Sequence, residues 1–421
     1  MALAAIPVLV DTLALVQAAP PADGGQGGYG PQAVKDVRPI WSEAERRRIL
    51  KHGPWPPVNI PDLGNRAAGR HAARRLGAEL FFDPVLSANG RVSCASCHHP
   101  GRDWSDGQAR PLARDGRPLD RNTPSLWNVG QHRWLGWDGG SDSLWAFVMR
   151  PLMDSREMGA RPEDLKRLMT DDPRRRCLYR ASIDEDPATS SPEAVARGVA
   201  KVLAAFVGTL ISPRTSFDAY RDALARGGDA AGVDYPVAAQ RGLRIFVGQG
   251  RCHLCHSGPM FSHGEFHDIG RPHRRADGRV DPGRHAGIAR VRSDRNNRAG
   301  PHSDDRAGAA RAAVGFLRSS HRNWGAFRVP GLRQVAGTAP YFHDGSAAGL
   351  ADVIAHYDLP DAERLHTEGE ALIAALNLTP GQRDDLEAFL RTLSAPTNAQ
   401  ASTIRLENQA IDAICPSAGP N

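Results

Sequence analysis

Hydrophobic positions recur at helical spacing in four stretches of the chain, and each stretch is predicted to form an amphipathic helix. The four stretches are residues 67–82, 191–211, 236–247 and 379–393. The second and fourth begin with Ser191-Pro192 and Thr379-Pro380, where a hydroxyl N-cap is followed by a proline in the first turn. No region is rich in strand patterns, so we expect a mainly α fold.

The first and third of these helices each precede a C-x-x-C-H string. The strings are Cys94-Ala-Ser-Cys97-His98 and Cys252-His-Leu-Cys255-His256. This pattern is typical of c-type haem attachment, in which the two thiols add to the haem vinyl groups and the histidine binds the iron. Random placement of six Cys and sixteen His in 421 residues would give only about 0.003 such strings. Two strings are therefore not accidental.

A thioredoxin-like dithiol and a zinc site are the alternatives for these cysteines. A dithiol does not need the adjacent histidine, and structural zinc pairs usually lie closer in sequence than these two strings. We therefore predict two covalently attached c-type haems. Each string lies between an amphipathic helix and a stronger closing helix, so the predicted architecture is two cytochrome c-like haem domains in tandem.

The predicted organisation has four segments. These are a signal- or anchor-like segment with a flexible lead-in (1–38), a first haem domain (39–225), a second haem domain (226–400) and a tail (401–421). Residues 1–18 are mostly apolar and end at an acceptable cleavage site, but Asp11 interrupts them and a basic start is missing, so cleavage stays open. Maturation of c-type haem takes place outside the cytoplasm, which predicts a periplasmic protein.

Composition adds limited information. The net charge is +6, carried almost wholly by Arg, and it could steer an acidic redox partner, although genome composition explains the Arg bias equally well. No basic stretch is interleaved with aromatics, which argues against nucleic-acid binding. Cys177 and Cys415 are either free or paired. Residues 270–325 form a Gly-, Arg- and Asp-rich insertion, which is either a docking surface or a solvated excursion.

The residues available as sixth iron ligands differ between the two haems. After His256 the only methionine is Met260, four residues away and too close to reach the far side of the haem. The candidates for the second haem are His263, His267, His343, His356, Tyr341 and Tyr357. After His98 only His99 precedes His132, so the first iron is predicted to be five-coordinate and open to peroxide or oxygen.

Several strings resemble the bacterial di-haem cytochrome c peroxidase family, and more closely its MauG branch. They are Leu80-Phe-Phe-Asp-Pro84, Arg121-Asn-Thr-Pro124, Trp137-Asp-Gly139, Glu157-Met-Gly159 and Thr338-Ala-Pro-Tyr-Phe-His343-Asp-Gly345. Together with the two haem strings, they extend the resemblance over roughly residues 40–395.

The resemblance implies roles for individual residues. Asn122, with the backbone of Thr338 and Pro340, matches a calcium site between the haem domains, and hard oxygen ligands suit that ion. Trp137 matches a tryptophan that relays electrons between the haems; its alternative is a packed core residue. Glu157 matches the distal carboxylate that moves a proton on bound peroxide; its alternative is a plain surface residue.

Tyr357 lies where the family's peroxidases have a methionine ligand of the second haem, and MauG-type proteins have tyrosine there. A phenolate is a hard anionic donor that lowers the reduction potential of the iron. His356 is the main rival for this role. Phe147 stands where the family usually has a distal glutamine, which implies a drier peroxide pocket with one hydrogen-bond donor fewer.

The resemblance therefore implies a periplasmic haem peroxidase or oxidase of the MauG type. Hydrogen peroxide would form high-valent iron at the first haem, and electrons would leave a partner protein through the second. That partner is a cytochrome c, a cupredoxin or a protein whose Trp or Tyr is oxidised. The alternative is a conventional peroxidase that takes electrons from a small cytochrome c or cupredoxin. A non-catalytic electron-transfer protein is a third hypothesis, which Glu157 and the missing methionine ligand disfavour.

Overall fold

The computed structural model describes residues 37–58, 62–228, 230–271, 274–275, 277–305, 308, 313–359, 373–396 and 415. The predicted signal- or anchor-like segment, nearly all of the lead-in and most of the tail lie outside these residues. None of the helices in the described ranges is long and apolar enough to cross a membrane.

The described chain is mainly helical, as predicted. The helices are α1 (Glu43–Leu50), α2 (His71–Phe82), α3 (Cys94–Cys97), α4 (Leu144–Met153), α5 (Pro162–Asp171), α6 (Pro173–Ile183), α7 (Pro192–Val207), α8 (Ser216–Ala225), α9 (Val237–Val247), α10 (Arg284–Ser293), α11 (Leu350–Asp358) and α12 (Pro380–Arg391). Two short strands, β1 (Phe266–His267) and β2 (Phe327–Arg328), pair antiparallel, with Phe266 opposite Arg328. All four helices expected from hydrophobic spacing are present within a few residues of the predicted bounds.

The two closing helices begin where the N-cap signals predict. The Ser191 hydroxyl accepts a hydrogen bond from the backbone N–H of Ala194 at the start of α7. At the start of α12, the Thr379 hydroxyl accepts from the N–H of Gln382, whose side chain accepts from the N–H of Thr379 in return. Each cap satisfies backbone donors that have no partner within the helix.

The buried hydrophobic side chains form two main clusters. The first lies among α2, α4, α5, α6 and α7 and includes Leu76 and Trp145. The second lies among α8, α9, α11 and α12 and includes Phe246 and Phe389. Ile49 of α1 also belongs to the second cluster, so α1 and α8 pack with the C-terminal half, although the predicted boundary at 225 assigns them to the first haem domain.

Glycine allows the same close helix crossing in both clusters. A Cβ at Gly77 of α2 would lie 2.4 Å from the carbonyl oxygen of Val202 in α7. A Cβ at Gly242 of α9 would lie 1.9 Å from the carbonyl oxygen of Asp385 in α12. Real Cβ contacts are never this short, so only glycine lets each helix that precedes a C-x-x-C-H string reach its closing helix.

A disulfide joins Cys177 of α6 to Cys415. This pairing decides between the two states that the sequence leaves open for these cysteines. Cys415 is buried within the first hydrophobic cluster, and its carbonyl oxygen accepts a hydrogen bond from Arg174.

Candidate functional site

The first C-x-x-C-H string holds its histidine in an orientation suited to binding iron. Cys94 and Cys97 form the single turn α3, and both thiols are free. The Nδ1 atom of His98 lies 3.0 Å from the carbonyl oxygen of Trp104, and Trp104 has a left-handed backbone (φ 58°) that directs this carbonyl. A hydrogen bond at Nδ1 leaves Nε2 with its lone pair, which is the arrangement that a metal-binding histidine needs.

The second string repeats this geometry. Cys252 and Cys255 are free thiols, and the Nδ1 atom of His256 lies 2.9 Å from the carbonyl oxygen of Phe261, whose φ is 52°. Both cysteines and His256 line a mostly apolar cavity of about 350 Å³. Two thiols, an oriented imidazole and an apolar wall are the groups that hold a covalently attached haem, so the residues fit that cofactor.

The zinc alternative does not agree with this arrangement. Among the described residues, only Cys255, His263 and His267 form a group of three or more His, Cys, Asp or Glu side chains close enough to hold one ion. The four cysteines of the two strings therefore do not converge on a single metal.

Three of the candidate sixth ligands of the second haem already make contacts within the chain. The Nε2 atom of His356 lies 2.9 Å from the carbonyl oxygen of Ile269. The hydroxyl of Tyr341 donates to the carbonyl oxygen of Val335 at 2.8 Å. The ring of His343 stacks on Phe327, with centroids 3.6 Å apart.

Tyr357, on α11, also lines the cavity that contains His256, and its hydroxyl makes no hydrogen bond to any described residue. Burial raises the pKa of the Tyr357 hydroxyl above its ordinary value, and the thiols of Cys252 and Cys255 add to the shift. Because this hydroxyl faces the cavity, it can bind a group placed there. Of the neighbouring pair His356 and Tyr357, Tyr357 is thus the residue whose donor atom no described residue engages.

A local repeat relates the two halves of the structure. Left-handed Asn128 and Gln334 each precede a 3₁₀ turn, and isolated bridges pair Leu135 with Ser141 and Tyr341 with Ala347. Each position in the second half lies 206 residues after its counterpart, and α11 begins 206 residues after α4. With this offset, the counterpart of Tyr357 in the first half is Pro151 of α4.

Glu157 belongs to a tight turn that follows α4. The backbone N–H groups of Glu157 and Gly159 both donate to the carbonyl oxygen of Asp154. Burial raises the pKa of Glu157, with a further increase from the Asp154 carboxylate, while Arg150 and Arg156 oppose the shift. Burial also raises the pKa of Cys97 to about 11, and the carboxylates of Asp106 and Glu157 add to it. Glu157 is therefore partly buried on the side of the first string.

Phe147 and Arg150 lie on one face of α4, with the guanidinium of Arg150 5.3 Å from the centre of the Phe147 ring. The Nη1 atom of Arg150 is buried and has no hydrogen-bond partner among the described residues.

Trp137 lies in a loop that both halves hold in place. Its indole Nε1 donates to the carbonyl oxygen of Asn122 at 2.9 Å, and its own carbonyl oxygen accepts from the N–H of Arg328 at 2.8 Å. Trp137 lines the same cavity as His256 and Tyr357. Its ring centre is 6.4 Å from that of His343.

An ionic network that sequence reasoning missed anchors this loop to the insertion. Arg121 lies 2.8 Å from Asp138 and 2.7 Å from Asp281, and Arg290 of α10 lies 2.5 Å from Asp138. Both aspartate side chains are fully buried. Although burial opposes ionisation, Arg121 holds the pKa of both aspartates well below the ordinary value. At least this part of the 270–325 insertion is therefore packed against the Trp137 loop and is not a solvated excursion.

The three residues predicted to bind calcium belong to the cavity that also contains His256. Asn122, Thr338 and Pro340 all line the cavity. The amide nitrogen of Asn122 donates to the carbonyl oxygen of Gln108 at 2.9 Å, which leaves the amide oxygen as the atom of this side chain that suits a cation. The backbone N–H of Asn122 donates to the carbonyl oxygen of His343, which brings the two halves together here.

Comparison with known proteins agrees with these features. Residues 71–225 match the profile described as di-haem cytochrome c peroxidase. The methylamine utilization protein MauG of Methylorubrum extorquens is 32% identical over 321 residues, which cover 76% of this chain and 77% of that protein. Cytochrome-c peroxidase IdrP1 of Denitromonas iodatirespirans is 30% identical over 346 residues, covering 81% and 86%. A crystal structure of a MauG-like protein associated with microbial copper homeostasis aligns with a TM-score of 0.59 and 27% identity, covering 81% and 95%.

The chain therefore belongs to the di-haem cytochrome c peroxidase and MauG family, as its sequence strings predict. It is accordingly a haem peroxidase, an oxidoreductase that uses peroxide.

Proposed function

We propose that this protein is a di-haem oxidase of the MauG type, which uses hydrogen peroxide at the His98 side and takes electrons from a partner protein through the His256 side. The observation that carries the proposal is the contrast between two neighbours on α11. His356 is engaged with the Ile269 carbonyl, whereas the Tyr357 hydroxyl has no described partner and lines the cavity beside His256.

The proposed cofactors are two covalently attached c-type haems, one in each of two tandem cytochrome c-like domains. The predicted bounds are 39–225 and 226–400, with α1 and α8 packed against the second domain. When bound, such a group supplies an iron that exchanges electrons and, where a coordination position is open, accepts peroxide. His98 and His256 would supply the proximal nitrogens, and Tyr357 the second ligand on its side.

Pro151 supports an open position at the first haem. It is the counterpart of Tyr357 in the local repeat, and its side chain has no donor atom. Peroxide bound on this side would meet Glu157, whose carboxylate can take the proton from one peroxide oxygen and return it to the leaving oxygen. Phe147 keeps this side less polar, so Glu157 is the proton-transfer group that we assign.

Trp137 is proposed to relay electrons between the two sides. Its ring lines the cavity, and hydrogen bonds at its indole nitrogen and backbone carbonyl fix its orientation. The partner is a periplasmic redox protein, namely a cytochrome c, a cupredoxin or a protein whose Trp or Tyr is oxidised. The Cys177–Cys415 disulfide supports the periplasm, because disulfides persist in oxidising compartments. Calcium at Asn122, Thr338 and Pro340 would join the two halves.

The test records absorption and EPR spectra of the diferric protein before and after one equivalent of hydrogen peroxide. We expect one high-spin signal, from the five-coordinate haem at His98, and one low-spin signal, from the haem held by His256 and Tyr357. Both signals should disappear for minutes after peroxide is added. A rapid return to the ferric spectrum, with oxidation of reduced cytochrome c, would instead identify a conventional peroxidase.

A matched pair of variants tests the relay within the same experiment. Trp137→Phe should confine the loss of signal to the high-spin haem, whereas Trp127→Phe, which also changes a tryptophan on the cavity wall, should behave as the wild type. Equal behaviour of the two variants would remove Trp137 from the proposal.

A further inference from the structure

Arg328 is a buried cation on the wall of the cavity that contains His256. Only 8% of the residue is exposed, and it lies on β2, where its backbone N–H donates to the carbonyl oxygen of Trp137. Its Nε atom donates to the carbonyl oxygen of Gly136 at 3.3 Å, and Nη1 lies 3.2 Å from a ring nitrogen of His132. Among the described residues, no carboxylate is paired with the Arg328 guanidinium.

The other buried arginine that lines this cavity, Arg333, has a carboxylate partner. Arg333 donates two hydrogen bonds to Asp218, at 2.9 and 2.8 Å, and its charge is thereby compensated. His132, which faces Arg328, cannot compensate the charge, since its ring is neutral: burial and the neighbouring guanidinium keep its pKa well below its ordinary value. Burial lowers the pKa of Arg328 to about 10, and no carboxylate opposes that shift. A buried charge is costly unless it is paired, so this site is incomplete as the chain alone forms it.

We propose that the Arg328 guanidinium binds a carboxylate of a haem, that is, a propionate, within this cavity. The inference rests on the proposed pair of haems and names the residue that receives their acidic groups. The planar fork of a guanidinium matches a carboxylate with two parallel hydrogen bonds, and the pairing is strong where water is excluded.

The position of Arg328 gives this contact a second consequence. The same residue donates to the carbonyl oxygens of Gly136 and Trp137, so the carboxylate, Arg328 and the Trp137 loop form one connected unit. A positive charge close to a haem favours the reduced iron, which carries one positive charge fewer, and therefore raises the reduction potential. Arg328 is thus a positioning residue that also tunes one haem.

The experiment measures the reduction potentials of both haems by spectroelectrochemistry in Arg328→Gln, Arg328→Lys and the wild type. Arg251→Gln is the matched control, because Arg251 lines the same cavity but is exposed. Resonance Raman propionate-bending bands provide a readout independent of activity, and haem content is measured in every variant.

We expect Arg328→Gln to lower the potential of one haem and shift its propionate band, Arg328→Lys to recover part of the potential, and Arg251→Gln to change neither. The haem that responds, high-spin or low-spin, identifies which propionate is bound. If Arg328→Gln does not fold, a shifted propionate band in Arg328→Lys still supports the proposal, and an unchanged band overturns it.

Equal shifts in the Arg328→Gln and Arg251→Gln variants would overturn the proposal. So would a wild-type potential that follows the chloride concentration, because a small anion would then occupy the site. A protein with fewer than two haems would contradict the proposed function itself, whereas two haems without a response at Arg328 contradict only this inference.

Discussion

Tyr357 and Pro151 occupy equivalent positions in the two halves of the structure, on helices α11 and α4 that begin 206 residues apart. One side chain offers a hydroxyl oxygen to the region beside a C-x-x-C-H histidine, and the other offers no donor atom. The approximate repeat is thus chemically asymmetric at this position. Under the proposed function, this asymmetry separates an electron-exchanging side from a side open to peroxide.

Replacing Tyr357 by methionine should raise the reduction potential of the low-spin haem. A thioether is a soft, neutral ligand that favours ferrous iron, whereas a phenolate favours ferric iron. Spectroelectrochemistry measures the potential, and EPR identifies the ligand through the low-spin signal. The variant should also accept electrons readily from reduced cytochrome c and lose the long-lived state after peroxide.

His356→Gln is the control for the Tyr357 prediction. His356 bonds the Ile269 carbonyl, so its replacement should leave the low-spin EPR signal unchanged. A changed signal in His356→Gln and an unchanged one in Tyr357→Met would assign the ligand to the histidine.

Replacing Glu157 by glutamine should slow the reaction with hydrogen peroxide by roughly 10²- to 10⁴-fold, the usual contribution of a general acid–base group. Stopped-flow absorption gives the second-order rate constant. Because burial and Asp154 raise the pKa of Glu157, the wild-type rate should fall with decreasing pH at a higher pH than an ordinary glutamate would produce.

The glutamine variant should lose this acid limb, because it has no carboxylate to protonate. Glu163→Gln, an exposed position at the start of α5, should keep both the rate and the pH profile of the wild type. A wild-type rate in Glu157→Gln would assign the proton transfer to another group.

The sequence correctly predicted the features that depend only on neighbouring residues. The capped helices and the two C-x-x-C-H turns need only neighbouring residues, and both motif histidines orient through carbonyls five or six residues away. The choice between Tyr357 and His356 depends on Ile269, which is 87 residues from His356. Composition could not show whether the 270–325 insertion is packed or solvated. Its Asp281 and Arg290 pair with Arg121 and Asp138, which lie far away in the sequence.

The repeated Asp-Gly pair at Asp138-Gly139 and Asp344-Gly345 was a sequence signal that could have revealed the 206-residue offset. That offset alone would have matched Tyr357 with Pro151. Arg328 gives no comparable signal, because its lack of a carboxylate partner is visible only in three dimensions.

The ionic network around Asp138 predicts a strong dependence of stability on pH. Arg121 holds the pKa of Asp138 and Asp281 in the folded state below the unfolded value of about 3.9. The stabilisation is therefore complete above about pH 4 and is lost as the pH falls through the folded-state values. Thermal unfolding followed by circular dichroism between neutral and acidic pH should show this loss.

Asp138→Asn should destabilise the protein by about 3–5 kcal/mol at neutral pH, because it leaves buried arginines without their anion. It should also weaken the loss of stability as the pH falls below about 4. Asp164→Asn, which removes a half-buried surface carboxylate paired with Arg161 and Arg167, is the control and should leave unfolding nearly unchanged. An unaltered acid limb in Asp138→Asn would show that other carboxylates govern acid unfolding.

The Cys177–Cys415 disulfide should contribute roughly 2–5 kcal/mol to the free energy of unfolding, because it closes a long loop in the unfolded chain. Cys415→Ser should lower the denaturant midpoint, and a reductant should lower the wild-type midpoint while leaving that of the Cys415→Ser/Cys177→Ser double variant unchanged. Since Cys415 packs in the first hydrophobic cluster, the native spectrum of the high-spin haem should disappear first during unfolding. Simultaneous loss of both haem signals would mean that the disulfide stabilises the whole unit and not the first cluster alone.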